Sequence, residues 1–500
     1  MQADTRTRNP RRGACALCLA LALAPAPAGA SEPGPADSDL ETLRAQVEAL
    51  ARQNREMQET VQDLRGEVRT ARDQARAAED LARGASSGPA PVSQGGGLLS
   101  LPAGSVTLQL LNISLDTLAS AGWSSADDEE LLLLQGGGHD PRQRGFNLQN
   151  VELSLQGAVD PYLIGEAHLI QFLDPEGESR FEMEEAFLQT TELPWGLSER
   201  GLQVEFGHFF TEFGRINPQH PHAWHWQDQP LVLSRFFGED GMRGPGVRVG
   251  WLAPLPWFSE VHLGAQNAKG ETMVSFLAND EVFEERPIGG RPFAGTGVGS
   301  PADLVYLLRW VNGADLSDTW SGQLGLSSLF GPNATGSGGH TEIYGTDLVL
   351  KWRPLQTDRG WPFLVFETEL LYRNYHADSF FGCTEEEDGC EPVALGDDDL
   401  RDWGFYAQLL YGFRRGWAAG LRYDYGAGSG GSGGLGSRSG DPFRDDRQRI
   451  SPLLVFHPSE FSRLRLQYSY DRADHLGGDD AHSVWAGVEF LFGSHPAHSY

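Results

Sequence analysis

Long apolar runs are missing from this 500-residue chain. No stretch reaches the roughly 18–20 residues that a spanning helix needs, which excludes a helical membrane protein. The one near-continuous run, 14–24, is short and lies close to the start. Cysteine is scarce. There are four, and Cys15 and Cys18 fall inside that same N-terminal run. Too few remain for a disulfide-built scaffold or a cysteine-rich metal site. Positive charge is also short: Lys and Arg total 39 against 69 Asp and Glu, a net charge of −30. That balance excludes nucleic acid and anionic lipid headgroups as partners. No catalytic constellation can be found. The glycine-rich stretch 429–434 lacks the strand–loop–Lys–helix context of a phosphate cradle. Ser, His and Asp occur without a spacing that joins them. Neither an enzyme nor a bound cofactor is expected.

What is present begins with a signal peptide, 1–30. Arg6, Arg8, Arg11 and Arg12 form its basic region, 14–24 its apolar region, and Ala28, Gly29 and Ala30 a small-residue cleavage site. Cleavage removes four arginines and Asp4, a net +3, which takes the charge from −30 to −33. In the exported chain, Cys383 and Cys390 sit close together in GCTEEEDGC, and a local disulfide is expected.

A heptad pattern follows over 31–83. Leu40, Val47, Asn54, Val61, Val68, Ala75 and Ala82 occupy a positions, and Leu43, Leu50, Met57, Leu64, Ala71 and Ala78 occupy d. This pattern predicts a coiled coil, with Asn54 as a register-fixing polar residue. It implies oligomerisation without separating dimer from trimer. Residues 84–104, rich in Gly, Ser and Pro, read as a flexible linker.

Beyond the linker, alternation takes over. In 401–425, Trp403, Phe405, Ala407, Leu409 and Tyr411 share one parity, and Trp417, Ala419, Leu421, Tyr423 and Tyr425 repeat it after a four-residue break. The opposite parity carries Gly404, Gln408, Gly412, Arg422 and Asp424. This is a hairpin with an apolar, aromatic face. Comparable strands recur at 105–118, 146–158, 162–173, 180–193, 201–210, 244–252, 257–267, 303–312, 319–330, 340–352, 362–375, 447–457, 461–471 and 482–493. With the hairpin they make about sixteen. Strand 180–193 fits poorly, because Glu184 and Glu185 put a carboxylate on each parity, and a bulge is expected there. Tight connections alternate with long ones at 119–145, 211–243, 268–302, 376–400 and 427–446. A soluble sandwich has no reason to sort its loops so, whereas an outer-membrane barrel does. The predicted fold is an all-β transmembrane barrel of antiparallel strands over 105–493, preceded by an α-helical coiled coil and followed by a tail, 494–500.

The stretches VELSLQGAVDPYLIGEAHL, FEMEEAFLQTTELPWGL and VEFGHFFTEFGRINPQHPHAW resemble the phosphate-selective porin O/P-like outer-membrane proteins. They are closer still to relatives labelled as a zinc-regulated TonB-dependent receptor. The resemblance implies a 16-stranded, trimeric diffusion channel. A true TonB-dependent receptor would have about 22 strands and a plug, and 31–104 offers only a helix and a linker.

A channel's chemistry lies in its constriction. Loop 211–243, aromatic and apolar for a surface segment, is the candidate to fold inward, and it carries Glu212, Asp228, Glu239 and Asp240. Strand parity sends Arg248, Arg309, Arg373, Arg422, Arg463 and Arg465 into the lumen. Either these arginines face the loop carboxylates across a pore, or they pair with carboxylates and hold the loop. His220, His222 and His225 in HPHAWH are candidate metal ligands. The expected function is passive diffusion of small charged solutes across the outer membrane of a Gram-negative cell, with the coiled coil in the periplasm, outer-membrane lipid around the barrel and a homotrimer as the assembly. The alternatives are a substrate-specific receptor-like barrel for a metal or chelate, and a structural barrel tethering the envelope.

Overall fold

The computed structural model describes residues 99–103, 106–386, 389–430, 441–478 and 480–493. The expected signal peptide, coiled coil and tail lie outside these residues, as does most of the expected linker. Within that linker, Leu99–Ala103 is a strand. It folds back antiparallel on the start of the next one, pairing Leu99 with Leu111 and Ala103 with Val106.

Sixteen further strands form a closed antiparallel ring. In order they are β1 (Val106–Ser124), β2 (Gly145–Ala158), β3 (Leu163–Leu173), β4 (Ser179–Thr190), β5 (Leu202–Phe210), β6 (Arg243–Leu252), β7 (Phe258–Asn267) and β8 (Leu304–Asp315). The second half runs β9 (Trp320–Pro332), β10 (His340–Trp352), β11 (Phe363–Ala377), β12 (Asp398–Arg414), β13 (Trp417–Ser429), β14 (Arg447–Ser459), β15 (Ser462–Ala473) and β16 (Asp480–Gly493). Each strand pairs with the next, and β16 closes on β1 from Ser483–Ser124 to Gly493–Ser114. The ring itself therefore has no open strand edge among the described residues. Every one of the sixteen expected strands is present, and β1 runs on to Ser124.

The alternation that predicted the strands sorts their side chains. Leu308, Leu326, Leu409, Leu421, Leu466 and Val488 point outward and stay exposed. Aromatic rows close this apolar belt at both ends. Tyr344 pairs with Tyr372 and Tyr372 with Trp403 towards the long loops, while Trp320 pairs with Trp352 and Trp417 with Phe456 towards the short turns. Water would leave this belt uncompensated, and hydrocarbon flanked by headgroups matches it.

The inner face is not uniformly polar. Val305, Leu307, Leu329, Ile343 and Leu371 point inward and join a buried cluster with Phe213, Val232, Leu233, Phe236 and Met273 from the long loops. Three short helices lie in those loops: α1 (Asp128–Leu134), α2 (Leu231–Phe237) and α3 (Asp280–Glu285). Every residue of α2 is buried, because the barrel wall surrounds it. Outside the ring, a hairpin of Phe380–Glu386 and Gly389–Leu395 rises from the β11–β12 loop. Its backbone sets Cys383 opposite Pro392 and Cys390 opposite Glu385.

Candidate functional site

The loop between β5 and β6, residues 211–242, enters the barrel and crosses it. Its neck is fastened first. The Thr211 amide donates to the Met242 carbonyl, and Asn217 Nδ2 bridges the carbonyls of Thr211 and Met242 at 2.7 and 3.1 Å. The loop then touches the wall in three places. At β9–β11, the Gly214 amide donates to Ser327 Oγ (3.2 Å) and the Ile216 amide to Glu369 Oε1 (2.8 Å). Gly214 has φ +65°, and a Cβ there would lie 2.1 Å from Glu369 Oε2, so only glycine fits.

The second contact is with β2–β4. His220 Nδ1 lies 2.6 Å from Glu184 Oε2 and its Nε2 3.0 Å from Glu185 Oε2. Two consecutive strand residues can reach the same ring because β4 is bulged. His168 pairs with Glu185 and Leu169 with Met183, leaving Glu184 as the extra residue. The sequence conflict at Glu184–Glu185 is thus resolved by turning both carboxylates inward. His168 of β3 and His222 of the loop share Glu152 of β2, at 2.8 and 2.9 Å. Burial disfavours charge on the His220 ring, yet Glu152 and Glu184 raise its pKa well above the usual imidazole value.

The third contact, with β13–β16, is the densest. Asp228 accepts from Arg422 Nη2 and Gln467 Nε2, both at 2.7 Å, and from Arg449. Burial works against its ionised form, but the two guanidinium groups hold its pKa below the ordinary carboxylate value. Arg463 Nη2 donates to the His222 carbonyl (2.8 Å), Arg465 Nη1 to the Trp226 carbonyl (2.9 Å), and the Gln227 amide to Gln467 Oε1 (2.9 Å). Trp226 is buried against Trp361, Phe363, Leu410, Leu453 and Val455, and its ring N–H donates to the Ser451 carbonyl at 2.9 Å.

The structure distributes the expected pore residues as follows. Arg422, Arg463 and Arg465 meet the loop, while Arg463 and Arg465 also hold Glu489. Arg248 joins Glu205 of β5 to Glu212 of the loop, at 2.8 and 2.7 Å. Arg309 pairs with Asp347 and Arg373 with Asp402, wall to wall. Glu239 turns to Arg142 of the β1–β2 loop (2.7 Å), and Asp240 lies 3.9 Å from His139. Most of these groups are sealed from solvent. Sequence reasoning missed Arg447 and Arg449, although their inward parity is readable. It also missed His168, which only strand register brings to Glu152 and the loop. His220 and His222 come together, whereas His225 sits apart, with Nε2 3.8 Å from Glu367.

Below the loop, at the short-turn end, the lumen opens into a cavity of about 670 Å³ lined by Phe258, Asp315, Ser321, Gln323, Val349 and Lys351. Arg215, partly exposed and paired with Glu367 at 3.3 Å, is the loop's own cation on the lumen side. A smaller cavity of about 270 Å³ lies among the long loops, where Arg142, Glu239, Asp240 and Arg286 converge.

Fold and site together define a closed sixteen-strand β-barrel with an apolar outer belt and a lumen crossed by its own loop. The chain belongs to the same family as a protein of Aquifex aeolicus (strain VF5) described as an uncharacterized protein, with which it is 31% identical over 374 residues, 73% of each chain. No family model matches the chain. Solved structures with a similar outline include the anion-selective porin from Comamonas acidovorans (10% identity, 77% of this chain and 99% of that one, TM-score 0.42). Two others are the outer-membrane channel DcaP of Acinetobacter baumannii (10%, 76% and 96%, 0.44) and Pseudomonas putida OprB (9%, 77% and 94%, 0.44). At such identities and scores they decide neither substrate nor selectivity.

Proposed function

We propose that this protein is an outer-membrane channel for passive diffusion of small charged solutes, with loop 211–242 as its constriction. One observation carries the reading: a belt fit for lipid encloses a lumen whose wall cations fasten a single crossing loop above an open vestibule. The buried arginines position that loop, because their charges are matched by Asp228, Glu489 and Asp471. The selecting charges are those that stay partly exposed in the lower lumen, Arg215, Asp315 and Lys351, together with the acidic mouth, which includes Asp127, Asp128, Glu129 and Glu130 on the long-loop side. The coiled coil expected over 31–83 is read as periplasmic, and the assembly as a homotrimer in lipid. The Cys383–Cys390 disulfide expected from the sequence rests on side chains that lie outside the described ones.

Planar-bilayer recording in asymmetric salt tests the reading. The wild-type chain gives unitary current steps, and Arg215→Ala with Lys351→Ala shifts the reversal potential towards cation preference. A membrane-inserted, folded protein that passes no current would leave only a tethering barrel.

A further inference from the structure

The contact between the loop and β2–β4 does more than fasten. Three imidazoles and four carboxylates converge there: His168, His220 and His222 with Glu152, Glu166, Glu184 and Glu185. The His168 and His220 ring centres are 4.3 Å apart, and those of His220 and His222 5.6 Å. Among the described residues, the cationic groups within 4 Å of these four carboxylates are imidazoles alone. At Asp228, Asp402, Asp471 and Glu489 arginine fills that role, and it cannot give up its charge. Imidazole can give up its proton to a metal ion and ligate it as the neutral ring, so binding here releases protons.

One donor atom each from Glu152, His168 and His220 lies within 4.8 Å of the others. Donors set about 2.0–2.2 Å from a tetrahedral ion are roughly 3.3–3.6 Å apart, so side-chain movement of about 1 Å closes the set. We propose that Glu152, His168 and His220 form a binding site for a divalent transition-metal ion of the Zn²⁺ class, which ties the lumen loop to β2 and β3. Two nitrogens and one oxygen favour such an ion over Mg²⁺ or Ca²⁺, which take oxygen ligands. Glu166 sits 2.9 Å from His168 Nε2, and Glu184 and Glu185 flank His220. Glu166 and Glu185 hold the ring nitrogens turned away from Glu152, in the manner of outer-sphere partners, while Glu184, on His220 Nδ1, stands where a fourth ligand would be. Glu166 is the most exposed of the group at 27% and gives the cluster its opening to solvent.

Calorimetric titration of the full detergent-solubilised chain with Zn²⁺ tests the site independently of conduction. The expected result is one saturable site per chain, retained in His225→Ala and in the tail variant His495→Ala/His498→Ala. His168→Ala and Glu152→Gln each weaken it at least about tenfold, with folding checked by β-sheet circular dichroism. Should either variant fail to fold, His168→Gln replaces it. The proposal is overturned if the wild type shows no saturable heat, if the His168 and Glu152 variants bind as the wild type does, or if His225→Ala loses binding equally.

Discussion

Replacing Asp228 with alanine strikes the loop at its most heavily bonded residue. The carboxylate is 1% exposed and accepts from Arg422, Arg449 and Gln467. Removing one partner of a buried ion pair costs about 3–5 kcal/mol, most of it the stranded opposite charge. Here neither arginine is left bare, since Arg422 keeps Asp424 and Arg449 keeps Asp471, each at 2.8 Å. The lower figure, about 3 kcal/mol, therefore applies to docking of the loop. At about 1.4 kcal/mol per decade, the undocked population rises roughly 100-fold. Hydrogen exchange reads this directly. The Gln227 and Leu231 amides donate to side chains of the wall, and their protection should fall by about two decades while strand amides keep theirs. In a double-mutant cycle with Arg449→Ala, the combined loss should fall short of the sum by about 1 kcal/mol or more. Unchanged protection at 224–231 in a folded variant would refute the view that these pairs hold the loop.

Trp226→Ala empties the centre of the short-turn-side cluster and should cost about 3–5 kcal/mol, measured by thermal unfolding in detergent. Leu466→Arg places a cation in the middle of the outer belt. It should destabilise the barrel by about 2–4 kcal/mol in lipid vesicles, read from urea unfolding, because Leu466 faces hydrocarbon. Gly487→Ala would set a Cβ 1.9 Å from Gln227 Oε1, and overpacking of about 1–3 kcal/mol should appear as faster exchange at Gln227 with the strands intact.

The strands were legible because lipid and lumen impose a period of two, and Trp403–Tyr411 and Trp417–Tyr425 display it on either side of their turn. The loop was legible through its apolar composition, which a water-facing segment could not sustain. Parity reasoning failed where both faces are apolar. Leu307, Leu329 and Leu371 point inward, and their sequence gives no sign that α2 will cover them. The His cluster was half visible. His220 and His222 stand together in the chain, while His168 reaches them only because the register pairs it with Ser154, two residues along from Glu152. His225 was misleading for a related reason: spacing in an irregular loop fixes no direction. Glu184 and Glu185 were the more informative signal, since a doubled carboxylate that breaks alternation marked the bulge.

The central claim is that this loop, held by the arginine wall, limits passage through a lipid-embedded barrel. Unitary conductance of the wild type beside Asp228→Ala, in the same planar membrane and salt, tests it most directly. The account predicts current steps in both and larger ones in the variant; equal steps, or none in either, would contradict it.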